Sequence, residues 1–184
     1  MTAEIRVAPT DARAGLLLRR WRPDDLDVVV AAYTDPQQRQ WTRFTVDGTA
    51  GGLEWLGVQE RGWAAGDRMS FAVCEDDGSD VPLGHVVLKR PDRTGGSAEV
   101  GYWTTAAARG RGIASRALSA ITEWAFTTYG DDGLRRLELR HDVGNEASCR
   151  VAEKNGFPFR ELVAGAGELG EGEHLHVREA GGGS

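Results

Sequence analysis

Ala98-Glu99-Val100-Gly101-Tyr102-Trp103, followed after a short gap by Arg109-Gly110-Arg111-Gly112-Ile113-Ala114-Ser115, reads as a strand, a glycine-rich turn and the first turn of a helix. Two glycines beside two arginines leave the main chain bare enough for an anion to approach its N–H groups, and the positive end of the helix favours negative charge there. Ile113, Ala117, Leu118, Ile121, Ala125 and Phe126 mark one face of that helix up to Tyr129-Gly130. A pyrophosphate fits on residues 109 to 114, held by the main chain, with the arginine side chains free to be solvated. Gly110-x-Gly112-x-x-Ser115 imitates a dinucleotide turn, but that turn usually opens a repeated βαβ array, and several strands precede it here. A nucleoside-triphosphate loop lacks its G-K-[ST]. A plain capped loop is the remaining structural reading.

The anchors Arg109, Gly112 and Ala114 form R-x-x-G-x-A, and with the E-V-G-Y-W strand they resemble the acetyl-CoA site of the GNAT N-acetyltransferases. A second block, Asn145-x-x-Ser148-x-x-Val151-x-Glu153-Lys154-x-Gly156-Phe157, resembles the RimJ/RimL-like branch of that family. Two blocks in order, covering most of residues 98 to 159, are more specific than a lone glycine motif. The resemblance implies a mixed α/β fold, the GNAT fold: a central, mostly antiparallel sheet with a splayed parallel strand pair, flanked by helices. In it the strands at 98 to 103 and 134 to 141 part, and the pantetheine arm lies in the opening. The implied reaction moves acetyl from acetyl-CoA directly to a primary amine, either a protein N-terminal α-amine or a small-molecule amine. Cys149 is then not expected to be a nucleophile. The alternative is a catalytically silent GNAT-like domain that binds acyl-CoA as a sensor or interaction module.

Acetyl-CoA binding is expected at Gly101, Tyr102, Trp103, Thr104, Arg109, Gly110, Arg111, Gly112, Ile113, Ala114, Ser115, Asn145 and Ser148. Asn145 can also cap the helix it opens by accepting the N–H of Ser148, which alone would explain it. The family often places a tyrosine later in this helix as the acid for the thiolate, but Ala152 stands there, and the branch suggests Ser148 instead. Glu99 is the first candidate base, because acyl transfer needs the neutral amine and a carboxylate can take the proton directly or through water. Its bland reading is a strand charge facing solvent or a basic side chain. Glu168, ahead of Leu169-Gly170-Glu171-Gly172, resembles an acidic residue before the last hairpin and is the second candidate; a solvated loop glutamate is the rival. Backbone N–H groups near Gly101 to Trp103, at an expected β-bulge, would meet the developing oxyanion. Trp41, Phe44, Trp55 and Trp63 are candidates for the acceptor wall, or else packing. His85, His141, His174 and His176 show no metal-ligand spacing, and no metal is expected.

Helices are expected from Pro23-Asp24-Asp25 to about Asp35-Pro36 and over roughly 53 to 64, with loop at 41 to 44. Strands are expected at 16–21, 70–75 and 83–89, the last two forming a hairpin through Asp76-Asp77-Gly78-Ser79-Asp80, and weaker ones at 159–163 and 175–178. The chain of 184 residues suits one domain, 15–179, with a flexible or edge segment at 1–14 and a flexible tail or linker at 180–184. Apolar content of 40% with no run of the length a membrane helix needs, and two cysteines, Cys74 and Cys149, point to the cytoplasm. A net charge of −6 argues against nucleic acid and suits a cationic acceptor weakly. A monomer and a homodimer both remain open.

Overall fold

The computed structural model describes residues 4–42, 44–90, 92–165 and 172–181. The eight strands are β1 (Ile5–Val7), β2 (Leu16–Arg19), β3 (Arg68–Glu75), β4 (Pro82–Lys89), β5 (Ser97–Thr104), β6 (Arg136–Asp142), β7 (Phe159–Val163) and β8 (Glu173–Glu179). The helices are α1 (Leu26–Thr34), α2 (Pro36–Arg39), α3 (Gly48–Ala65), α4 (Ile113–Tyr129) and α5 (Glu146–Lys154). The strands form one sheet in the order β1-β2-β3-β4-β5-β6-β8-β7. Every adjacent pair is antiparallel except β5–β6, which is parallel. Ile5–Val7, within the segment read as flexible or edge, is the outer strand of the sheet. Residues 182–184 of the expected tail lie outside the described residues.

Strand alternation sorts the side chains onto two faces. On one, Phe71, Val73, Val86, Leu88, Val100, Leu137 and Leu139 pack against Ile113, Ala117, Leu118 and Ile121 of α4 and Ala152 of α5. On the other, Val29, Ala32 and Tyr33 of α1 and Trp55 of α3 pack with Trp103 of β5. Arg19 bonds both carboxylate oxygens of Asp25 at 2.8 and 2.9 Å, which fixes the start of α1 to the end of β2. Helix α3 begins five residues before the expected position because its first turns carry Gly48, Gly51 and Gly52, residues that weaken a helical pattern. Gly52 serves packing: a Cβ on it would stand 2.6 Å from Leu26 Cδ1 and 2.9 Å from Val30 Cγ2, so these side chains of α1 would have to shift. Where the first helix was expected to end, Asp35 accepts the N–H of Gln37 at 2.9 Å and starts the single turn of α2. The expected bulge at Gly101–Trp103 is absent. The β4–β5 register runs unbroken from Gly84↔Thr104 to Lys89↔Glu99, and a Cβ at Gly101 would meet only Val87 Cγ1, at an ordinary 3.6 Å.

His85 on β4 is enclosed by Trp21, Trp55 and Trp103, and its Nδ1 accepts the Trp21 indole N–H at 3.0 Å. Burial, aided by Arg68 and Lys89, holds its pKa well below the ordinary 6.5, so the ring is neutral in the folded state. The unfolded chain takes up a proton at His85 below about pH 6.5 and the folded chain does not, so stability falls as pH drops from there towards the folded pKa. Urea unfolding at pH 7, 6 and 5 should show His85→Gln with a shallower loss than the parent, the slopes differing by up to about 1.4 kcal/mol per pH unit. Equal slopes would contradict the neutral assignment.

Candidate active site

The parallel β5–β6 ladder runs from Ser97↔Arg136 to Val100↔Leu139 and stops. Beyond it β6 continues to pair with β8 as far as Asp142↔Glu173, while β5 continues to pair with β4 as far as Thr104↔Gly84. Among the described residues β5 and β6 therefore no longer pair with each other from Gly101 and Arg140 onward, and the two strands part. A cleft of about 710 Å³ opens there. Its walls include Tyr102, Trp103 and Thr104 of β5, the turn residues Arg109, Gly110 and Gly112, the helix start Ile113, Ala114 and Ser115, and Asn145 and Ser148 at the start of α5. Gly101 and Arg111 flank this wall and do not line it.

The turn leaves its main chain uncovered. Gly110 and Gly112 take the left-handed conformation, with φ of 73° and 75°, which side chains disfavour. Gly112 is the N-cap of α4, no side chain caps that end, and no acid stands in the first turn. The orphan N–H groups of a helix start normally find a cap or water, and no side chain caps them here, the arrangement in which helix starts bind anions. The arginine side chains, which the sequence leaves free to be solvated, are paired: Arg109 with Asp35 and with Gln37 Oε1 at 2.9 Å, Arg111 with Glu75 at 2.6 Å. Burial opposes the charge on Asp35, but the Arg109 contact and the Gln37 N–H outweigh it and hold that carboxyl below its ordinary pKa. The cation that does stand against the turn is Arg13, whose Nη1 lies 2.1 Å from where a Cβ on Gly112 would be. Arg13 was not legible as a site residue, because it comes from a segment without periodicity far away in the chain.

Asn145 Oδ1 accepts the Ser148 N–H at 3.2 Å, which fixes the first turn of α5. Burial pushes the Tyr102 phenol up to about 12, and its hydroxyl is turned towards Ser148 without a hydrogen bond of good geometry among the described residues. Glu99 lies outside the cleft wall, on the β5 face it shares by alternation with Trp103, and its Oε1 is 2.5 Å from Lys89 Nζ. Glu168 lies outside the described residues. Of the four acceptor-wall candidates only Trp41 lines the cleft, with its ring 3.4 Å from where a Cβ on Gly144 would be. Phe44 is partly exposed beside Tyr33, Trp55 is buried and donates to the Tyr33 hydroxyl at 2.8 Å, and Trp63 packs between Phe71 and Trp124. Gln37, Gln38, Gln40, Arg140 and His141 also line the cleft, although no motif marked them.

Residues 15–158 match the model of the acetyltransferase (GNAT) domain family. The chain belongs to the GNAT acetyltransferases. It is 32% identical over 122 residues to the ribosomal-protein-serine acetyltransferase of Escherichia coli K12, an alignment covering 66% of this chain and 59% of that protein. A ribosomal-protein-serine acetyltransferase structure from Vibrio cholerae, described as putative, superposes with a TM-score of 0.76 at 21% identity over 98% of this chain and 100% of that one. RimJ of Mycobacterium smegmatis, solved with a CoA-disulfide, superposes with a TM-score of 0.78 at 20% identity over 97% and 87%. The fold is thus the GNAT fold, as the strand and turn motifs implied. Among the described residues no helix is long and apolar enough to cross a membrane.

The bare N-terminus of α4 has a direct test. Coenzyme A should raise the melting temperature of the parent, since a ligand of the folded state alone stabilises it. Gly112→Val forces a β-branched residue into a left-handed position at a cost of about 1–3 kcal/mol and crowds Arg13. This variant should melt lower and lose the coenzyme A shift; a full shift above its own melting temperature would contradict the anion seat.

Proposed function

We propose that this chain moves acetyl from acetyl-CoA to a primary amine, with the α-amine of a protein N-terminus as the favoured acceptor. The observation that carries this reading is the continuity of one cleft from the uncapped start of α4, past the unpaired edge of β5, to Asn145 and Ser148. Acetyl-CoA supplies the acetyl group already activated as a thioester. The N–H groups at the start of α4 hold its pyrophosphate, with Arg13 as the adjacent cation. Asn145 and the open edge of β5 align the pantetheine arm, and the same edge offers N–H groups where the carbonyl oxygen gains charge. As the amine nitrogen bonds to the carbonyl carbon and the C–S bond breaks, Ser148 Oγ passes a proton to the sulfur and regains one from solvent, with the protonated Tyr102 hydroxyl beside it. Glu99 takes the amine proton through water on the face it shares with Trp103, its carboxylate held by Lys89.

Energetics favour the α-amine. At pH 7 an α-amine of pKa about 7.8 costs roughly 1 kcal/mol to deprotonate, whereas a lysine near 10.4 costs about 4.6 kcal/mol. A base that stands outside the cleft wall suits the easier proton. The curated relative, named for serine of a ribosomal protein, supports a protein acceptor.

A thiol-release assay with acetyl-CoA across peptides with free or blocked N-termini, lysine peptides and small amines should respond to free N-termini first. Binding of acetyl-CoA with release from none would make the chain a silent acyl-CoA sensor. Ser148→Ala should lower kcat about tenfold to a hundredfold with little change in the KM for acetyl-CoA. Glu99→Gln should lose activity at neutral pH and recover from about pH 8, where the α-amine is already neutral. Recovery only beyond pH 10 would indicate a lysine or alkylamine, and an unchanged profile would remove Glu99. The same profile for Glu168→Gln alone would move the base to that residue.

A further inference from the structure

Four side chains with borderline or soft donor atoms meet between the sheet and α5. His141 on β6, His174 and His176 on β8, and Cys149 on α5 each bring one donor atom, all within 4.8 Å of one another. In sequence they are dispersed over 36 positions with no ligand spacing; the β6–β8 register, which sets His141 opposite His174, assembles them, with α5 laid across. We propose that they bind one zinc ion, tetrahedrally, through three imidazoles and one thiolate. This site is separate from the acetyl-transfer groups, although His141 also reaches the cleft wall.

The hydrogen bonds decide the argument. His141 Nδ1 lies 2.9 Å from the Asp142 carbonyl oxygen, and His176 Nδ1 lies 2.9 Å from the Phe157 carbonyl oxygen. A carbonyl oxygen only accepts, so both Nδ1 atoms carry hydrogen. In neutral rings both Nε2 lone pairs then point outward, and these two atoms face each other at 3.1 Å. Two lone pairs hold that position only with a proton or a cation between them. The two nearest donor pairs match a metal, and the widest spacing in the cluster, up to 4.8 Å, closes by about 1 Å on binding. Zinc bonds of 2.0–2.1 Å to nitrogen and 2.3 Å to sulfur set tetrahedral donors roughly 3.3 Å apart for two nitrogens and roughly 3.6 Å for nitrogen and sulfur. The chain shows 3.1 Å between the two Nε2 atoms and 3.7 Å between Cys149 Sγ and His176 Nε2.

Imidazoles that donate their second N–H to backbone carbonyls are the usual outer support of metal ligands. His174 supplies the third imidazole, and its Nδ1 is buried with no hydrogen-bond partner among the described residues. On binding, the Cys149 thiol releases its proton to solvent and the sulfur donates as thiolate, with no change of oxidation state. Four protein donors leave no open position, so the ion serves structure. It fastens α5, with Asn145 and Ser148 at its start, to β6 and β8.

The test uses the chain without a histidine tag, stripped with a chelator in reductant and titrated with cobalt(II) and then zinc. The expected result is uptake of one cobalt per chain, with strong visible bands of a tetrahedral ion and a thiolate charge-transfer band in the near ultraviolet, both erased by one equivalent of zinc. Cys149→Ser changes a partly exposed position and should keep its far-ultraviolet circular dichroism, lose the charge-transfer band and bind at least tenfold more weakly. His174→Gln should weaken binding likewise. Absence of stoichiometric uptake, which would leave only a proton shared by His141 and His176, overturns the proposal. So does cobalt binding without a thiolate band, or binding undiminished in Cys149→Ser.

Discussion

The last shared rung of β5 and β6, Val100↔Leu139, governs the rest of this molecule. Up to that rung the two strands satisfy each other's main-chain groups; past it each is held only by its other neighbour, β4 or β8. Buried backbone donors and acceptors do not stay unpaired without cost, so an unzipped pair in the middle of a sheet implies something that fills the gap. In the proposed function the pantetheine arm, a linear amide-bearing chain, takes that place. The pair is parallel because α4 crosses between its two strands. That connection brings the helix start to the mouth of the opening, where an anion can be held.

The two faces of the sheet divide the labour. Behind the opening, α4 buries Ile113, Ala117, Leu118 and Ile121 against β4–β6 and so aims its N-terminus. In front, α1 and α3 bury Tyr33 and Trp55 against Trp103, and the Asp35–Arg109 ion pair joins the start of α2 to the turn. The arginines of the motif are thus fasteners of the loop, and the main chain between them stays free for the proposed binding of the pyrophosphate. That division explains why both residues after the arginines are glycines with positive φ: the backbone must both turn sharply and remain uncovered.

Much of this was legible because motif and local geometry coincide. The turn at 109–115, the apolar face of α4, the Asn145 cap and the strand at 98–103 each carry their signal within a few residues. What was hidden depends on distant parts of the chain. The early start of α3 is masked by glycines that serve the contact with α1, and Arg13 reaches the turn from an aperiodic segment. Trp55 and Trp63 read as candidates for a wall because aromatic residues look alike in sequence; only the tertiary packing shows them closed into the two cores. The convergence of His141, His174, His176 and Cys149 likewise arises from strand register, which single-sequence spacing does not encode.

In the proposed function the gap between β5 and β6 and the bare start of α4 form one binding element for coenzyme A. Titration of the isotope-labelled chain with coenzyme A, followed by backbone amide resonances, tests it most directly. The largest shifts should fall on residues 112–115 at the helix start and 101–104 along the open edge of β5, with smaller ones at 145–148. Shifts centred elsewhere, with these amides unmoved at saturation, would contradict it.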